Sequence, residues 1–233
     1  RHIDRTKVQF DFLVHRDFEA DYDAEILSLG GKIHHVSRLV PWSKSYQNEL
    51  RAFFKEHPEY RIVHVHQDCL SSVALKVAKE CGVPVRIAHS HSSSADKNLK
   101  YWIKRYYMKK ISKYATDLFA CGKKAGDWMF GGEKYQIVRN AIDAKRYTYS
   151  MATAEKVRTS LNLHDELVVG HVGRFNPPKN HTFLIDIFYE IQKINPSARL
   201  LLVGDGDGKK EIQEKARELG IADHIIFAGV RTD

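Results

Sequence analysis

No run of about 18 apolar residues occurs in this sequence, so no helix is long and apolar enough to cross a membrane. The opening stretch RHIDRTKVQFDF lacks the continuous apolar core of a signal peptide, and none is expected. Cysteine is scarce: Cys69, Cys81 and Cys121 are odd in number, and their spacing fits neither a disulfide framework nor a metal knot. A reducing, cytosolic setting is the simplest expectation. Proline is scarce too, with 6 in 233 residues, and no low-complexity tract interrupts the chain. With 43% hydrophobic and 28% charged residues, the composition is globular. The length suits one large domain or one and a half to two ordinary ones.

Positive charge is present in excess but unevenly. Residues 1–151 carry 26 Lys/Arg against 17 Asp/Glu, whereas residues 152–233 carry 11 against 12, so an acidic partner would be met by the first part. Short apolar runs alternate with longer amphipathic ones. Strands are predicted at Val8–Val14, Arg61–His66, Pro84–His89, Asp117–Cys121, Val168–Val172, Arg199–Val203 and Ile225–Ala228. They lack strict alternation, as parallel strands buried on both faces do. Phe183, Ile187, Ile191 and Ile194 repeat at helical spacing, as do Ile212, Ala216 and Leu219, with Gly220 as a left-handed stop. Strand–helix alternation of this kind argues for an α/β fold with parallel sheets. KRYTYSMATAEKVRTS (145–160) holds no strand, and the charge balance flips after it. A domain boundary is expected there: 1–147, a linker at 148–160, and 161–233. Both ends look cut, since the first strand has no Gly-rich unit before it and the second part holds only three strands and two helices.

Chemistry concentrates in two turns. HVGRFNPPKNH (171–181) places Gly173, Arg174 and Lys179 at the carboxyl end of a predicted strand, where doubly wound sheets bind ligands. An Arg fork and a Lys point charge there could hold a diphosphate without a metal, although a solvated basic turn would read the same way. RLLLVGDGDGKKE (199–211) repeats the arrangement with Gly204, Asp205 and Gly206, whose backbone N–H groups could meet an anion or a ribose. It is not a dinucleotide fingerprint, because Lys209 stands where the third glycine would be. Asp205-Gly206-Asp207 also spells a D-x-D metal motif, but an Asp at a helix start is more often a cap.

In the first part, VHVHQ (63–67) and RIAHSHSSS (86–94) put His66, His89 and His91 at two strand ends. The His-x-His pairs invite a zinc reading, but no third or fourth ligand stands at useful spacing, and no metal is expected. KNLKYWIKRYYMKKISKYAT (97–116) carries Lys97, Lys100, Lys104, Arg105, Lys109, Lys110 and Lys113 with interleaved aromatics. Such a helix suits an anionic membrane surface. The plainer alternative buries Leu99, Trp102, Ile103, Tyr106 and Ile111 on its own sheet. No nucleic-acid fold signature accompanies it, so no nucleic-acid partner is expected.

GRFNPPKNHTFLIDIFYEI followed by LLLVGDGDGKKEIQEKARELGIADHIIFAGVRTD resembles the donor-binding half of family-4 glycosyltransferases of the GT-B fold. The R-x4-K turn, the VGDG turn and a strand ending in F-x-G-x-R-x-D come in order and at familiar spacing. LFACGKKAGDWMFGGEKYQIVRNAIDAKRY looks like the segment leading to the interdomain linker, with Gly122 for the usual serine and Ala141 for a glycine. The opening FDFLVHRDFEADYDAEILSLGGKIHHV looks like exopolysaccharide and capsule members. The resemblance covers essentially the whole chain. It implies two Rossmann-like domains, the second only half present, truncated at both ends. It further implies that Arg174 and Lys179 hold the donor diphosphate, that Gly173, Gly204, Asp205 and Gly206 line the nucleotide, and that the backbone around Gly229–Arg231 meets the base. A histidine at the end of the later strand would face the donor sugar. His89 and His91 both fit that place, with a preference for His91, while His66 and Asn140 would line the same cleft. The activity implied is retaining, metal-independent transfer of a sugar from a nucleoside-diphosphate donor, uridine-linked, to a saccharide or lipid-linked acceptor. That places the protein in the cytoplasm or on the inner face of the membrane, with the sugar nucleotide as substrate and no cofactor. A nucleotide-sugar epimerase or a non-catalytic binding module remain alternatives. The E-x7-E segment of the family would lie beyond Asp233, so these 233 residues alone are expected to turn over poorly.

Overall fold

The computed structural model describes residues 1–94 and 99–231, with the side chains of Leu99 and Lys100 excepted. Lys97 and the motif-ending Asp233 therefore lie outside the described residues. The chain divides into two compact units, Arg1–Ile142 and Asp143–Asp233.

The first unit contains strands β1 (Phe12–Val14), β2 (Ile33–His35), β3 (Ile62–Val65), β4 (Val85–Ser90), β5 (Asp117–Ala120) and β6 (Gln136–Ile137). β1 pairs with β2, and the others form a sheet in the order β3-β4-β5-β6. Every pairing is parallel. The connections are α1 (Asp23–Ser28), α2 (Lys44–Glu56), α3 (Ser71–Glu80), α4 (Leu99–Met108), α5 (Ile111–Tyr114) and α6 (Lys123–Phe130). Ser43 starts α2 by accepting from the Tyr46 N–H at 3.2 Å, and Tyr46, Leu50 and Phe54 form its buried stripe. α3 buries Val73, Ala74, Leu75, Val77 and Ala78. Leu50 and Leu75 are fully buried, and truncating either to alanine costs about 2–5 kcal/mol.

Two strands escape the sequence pattern. β2 (IHH) is short and polar, and β6 spans only two residues. The run predicted from Val8 is strand only from Phe12, because its partner β2 offers three residues to pair with.

The second unit contains α7 (Met151–Ser160), β7 (Val168–Val172), α8 (His181–Ile194), β8 (Arg199–Val203), α9 (Lys209–Glu218) and β9 (Ile225–Gly229). The sheet order is β7-β8-β9, again parallel. The segment read as linker is largely α7, capped by Ser150, whose Oγ accepts from the Thr153 N–H at 3.3 Å. α7 buries none of its residues, which is why its apolar pattern is faint. α8 buries His181, Ile185 and Phe188; of the predicted stripe Ile191 packs partly against the core, whereas Phe183, Ile187 and Ile194 are exposed. Outside a polar stripe of Thr182, Asp186, Glu190 and Lys193 the helix is largely apolar, so more than one face satisfies helical spacing. The sheet takes the face that continues into Phe175, Leu200 and Leu202. α9 buries Ile212 and Ala216 as expected, and Gly220 ends it at φ 70°.

Candidate functional site

In the second unit, three strand ends are tied together by backbone bonds. Gly173 N–H donates to Val203 O at 2.9 Å, Phe175 N–H to Asp205 O at 2.9 Å, Gly208 N–H to Phe175 O at 3.1 Å and Gly204 N–H to Gly229 O at 2.8 Å. Phe175, 1% exposed, plugs the core beneath the turn with its ring centroid 4.7 Å from that of His181. Because Phe175 points inward, its neighbour Arg174 is turned out. A 3-10 turn at Pro177–Lys179 and a left-handed Asn180 (φ 48°, ψ 48°) then present Lys179 before α8 begins. Both cations are exposed, and neither has a hydrogen bond or ion pair among the described residues. The start of a 14-residue helix beside them adds positive potential. An anion that meets either charge displaces no hydrogen-bonded partner among the described residues.

The glycines serve this packing. A Cβ on Gly204 would stand 2.2 Å from Gly173 O, and one on Gly206 would stand 2.5 Å from Phe175 O. Their φ angles, 140° and 154°, also disfavour other residues. The expectation that their N–H groups are open to an anion meets a different arrangement. The Gly204 N–H is taken by Gly229 O, and the Gly206 N–H by Asp205 Oδ1 at 2.8 Å. Asp205 thus caps its own turn and lies 3.9 Å from Lys209 Nζ. Gly173 packs against the Lys179 stem, whose Cδ and Cε would lie 3.5 Å from an added Cβ. Arg231 follows β9, two residues beyond Gly229.

Sequence reasoning missed the two histidines that bracket this motif. His171 and His181 stack edge to face at 4.6 Å, and His181 is 3% exposed with neither ring nitrogen bonded. Burial, then His171 and Lys179, holds the His181 pKa below the ordinary histidine value. Their position at the two ends of HVGRFNPPKNH was the available signal.

In the first unit, strand pairing gathers four imidazoles. His64 and His66 alternate along β3 and its end, as His89 and His91 do along β4, so each pair points to one face. The register aligns Val65 with Ala88 and brings the pairs side by side. His64 Nε2 and His89 Nδ1 are 3.1 Å apart, and His66 Nδ1 and His91 Nε2 are 2.8 Å apart. Phe119 of β5 closes the inner side, edge-on to His64 and His89 at 5.8 and 6.0 Å. Burial, followed by the neighbouring imidazoles, lowers His64 and His66 to about 4, and it lowers His89 as well. His66 and His91 are exposed while His89 is 6% exposed, so of the two sequence candidates only His91 reaches the surface. The spacing of the His-x-His pairs offers no third metal ligand, but the fold supplies one: ligand atoms of His64, His66 and His89 lie within 4.8 Å of one another.

Further polar groups stand at the same carboxyl edge. His15 Nε2 is 2.8 Å from Tyr46 Oη, and Gln67 Nε2 is 3.1 Å from the same nitrogen. Asp68 adopts φ 52°, rare for a non-glycine, with Oδ1 buried and unpartnered. Asn140 is exposed in the segment after β6. The basic stretch forms α4 and α5, and here the structure departs from the plainer reading. Ile111 is buried, but Trp102 is 72% exposed, Tyr106 is 57% exposed and Ile103 is exposed too. Lys110 Nζ sits 3.7 Å from the Tyr106 ring centroid.

Residues 153–233 match the family described as Glycosyl transferases group 1. The putative glycosyltransferase EpsF of Bacillus subtilis (strain 168) is 33% identical over 240 residues, covering 98% of this chain and 62% of EpsF. The Vi polysaccharide biosynthesis protein VipC/TviE of Salmonella typhi is 31% identical over 111 residues, covering 46% of this chain and 19% of that protein. The chain therefore spans less than two thirds of the curated relatives it matches. Among solved structures, Anabaena HepE in complex with UDP-glucose superposes with a TM-score of 0.77 at 17% identity, covering 95% of this chain and 69% of HepE. This chain thus has the parallel, Rossmann-like α/β fold of a GT-B structure, and its residues 153–233 carry the group 1 glycosyl transferase pattern.

Proposed function

We propose that this chain contributes the donor-binding turn and part of the acceptor side of a glycosyltransferase in cell-surface polysaccharide synthesis. The donor is a nucleoside-diphosphate sugar, uridine-linked, and the acceptor a saccharide or lipid-linked saccharide, with anomeric configuration retained. The observation that carries this reading is the pair Arg174 and Lys179, exposed, unpaired among the described residues and fixed by a turn stitched to its neighbour. Arg174 and Lys179 bind the diphosphate and stabilise the charge that develops on it as the glycosidic bond breaks. These side chains supply the neutralisation for which other transferases use a metal. Losing either costs about 2–4 kcal/mol of transition-state stabilisation, by analogy with loss of one oxyanion donor. Backbone near Gly229–Arg231 meets the base. The HepE complexes with UDP and UDP-glucose favour uridine, and the likeness to VipC/TviE favours a polysaccharide product.

The test is calorimetric titration of the chain with UDP, GDP and ADP, with Arg174→Ala/Lys179→Ala as control. UDP should bind best and the double variant should bind none. No nucleotide binding by the folded chain, or binding that survives the double substitution, removes this reading. An epimerase would instead return an epimerised donor when incubated with the sugar nucleotide alone.

A second partner follows from exposed Trp102 and Tyr106 beside Lys109, Lys110 and Lys113. This face of α4 and α5 suits an anionic membrane surface, as a lipid-linked acceptor requires.

A further inference from the structure

The four imidazoles at the edge of β3 and β4 exceed what a single sugar contact needs. We propose that His64, His66 and His89 form a binding site for a divalent transition metal of the zinc class, with His91 closing its exposed side. This inference is independent of the donor reading and stands on unit-one geometry alone.

Three observations carry it. The ligand nitrogens of His64, His66 and His89 already lie within 4.8 Å of one another. A tetrahedral zinc site with Zn–N bonds of about 2.0–2.1 Å sets neighbouring nitrogens ~3.4 Å apart. The His64–His89 and His66–His91 pairs stand at 3.1 and 2.8 Å, so those pairs need only a small opening, and the third nitrogen a modest closing. Second, His89 Nε2 is buried with no hydrogen-bond partner, on a side chain 6% exposed. A buried ring nitrogen without a side-chain partner is a group that a modest turn of the ring, whose Nδ1 already faces His64, can bring to a cation. Third, the surroundings are those of a ligand set. Phe119 walls the inner side, no carboxylate among the described residues is hydrogen-bonded to any of the four rings, and the open side faces solvent at His66 and His91. An all-imidazole set selects zinc, copper or nickel over magnesium and calcium, whose preferred ligands are oxygens. Three histidines with a fourth position beside His91 match a site that can exchange a water or a substrate oxygen.

The bland alternative is a ladder of neutral histidines sharing protons in two hydrogen-bonded pairs. That alternative predicts no metal binding. To decide, the chain is stripped with a chelator and titrated with Zn²⁺ and, separately, Co²⁺. We expect one equivalent of zinc retained through desalting, a visible Co²⁺ spectrum of a tetrahedral nitrogen set, and a rise in melting temperature on zinc addition. His64→Ala and His66→Ala should each weaken binding by at least about tenfold, a loss already seen when second-shell partners of a metal are removed. His164→Ala, exposed in the other unit, should leave binding unchanged. His66 is exposed, so its variant folds even if His64→Ala does not. Failure of the folded chain to retain zinc overturns the proposal. So does retention that neither histidine variant alters.

Discussion

A single carbon added at Gly204 would press on the Gly173 carbonyl, at 2.2 Å, and would hold the chain at a φ of 140°. Gly204→Ala should therefore lower stability by more than the about 1–3 kcal/mol of backbone strain alone, read as the denaturation midpoint. Gly220→Ala also suffers positive φ, at 70°, but meets nothing within 4 Å, and it should cost only about 1–2 kcal/mol. The cations on the neighbouring turn behave differently. Arg174→Ala and Lys179→Ala should leave the fold intact and each weaken UDP binding by about 1.5–3 kcal/mol, the worth of a charged hydrogen bond. His181 adds a pH dependence. Burial keeps its folded pKa below the unfolded value, so on acidification the unfolded chain takes up a proton that the folded chain refuses. That contribution is complete above the ordinary histidine pKa and is lost as pH falls toward the folded value. Urea midpoints should decline across this acid range, and His181→Phe should make the decline shallower. Arg174 and Lys179 were legible in the sequence because a chemical pattern is local. His64 was not, because its partners come from the neighbouring strand, and only pairing turns two His-x-His dipeptides into four facing rings.

Elements divide in the same way. The strands β3, β4, β5, β7, β8 and β9 were readable because each centres on a short run rich in Val, Ile, Leu or Phe. The polar β2 and two-residue β6 carry no such run, and they exist only because neighbours pair with them. α8 shows a limit of helical spacing: when most positions are apolar, the sequence allows two faces and the sheet chooses one. α4 has the opposite character, for it turns Trp102 and Tyr106 outward where a helix serving only its own sheet would bury them. If that face meets a membrane, the chain should co-sediment with vesicles containing anionic lipid and release at high salt. Trp102→Ala should weaken the association, and Lys109→Glu/Lys113→Glu should weaken it by about 1 kcal/mol or more per charge. Equal sedimentation with neutral vesicles would sink this reading.

At the scale of the whole molecule, each unit buries its own apolar core, one around Leu50, Leu75 and Val77 and one around Phe175, Phe188 and Leu200. The charge asymmetry follows the same division, since the basic excess of residues 1–151 falls almost wholly in the first unit. A ligand stabilises the part that holds its site. UDP at 100 times its Kd should raise the stability of the second unit by about 2.7 kcal/mol, visible by calorimetry, while zinc should act on the first. Both units also build every ladder from parallel strands among the described residues. Phe12 meets Ile33, Ile62 meets Val85, Ile87 meets Asp117, and Val168 meets Arg199. Among the described residues no hairpin is available to form early, because each parallel pair waits for a whole crossover to be laid down. Refolding should accordingly be slow, and the apolar strands stay exposed while they wait. Yields should fall as protein concentration rises, and synthesis from the N-terminus, which delivers each strand ahead of its partner, should be kinder to this chain than dilution from denaturant.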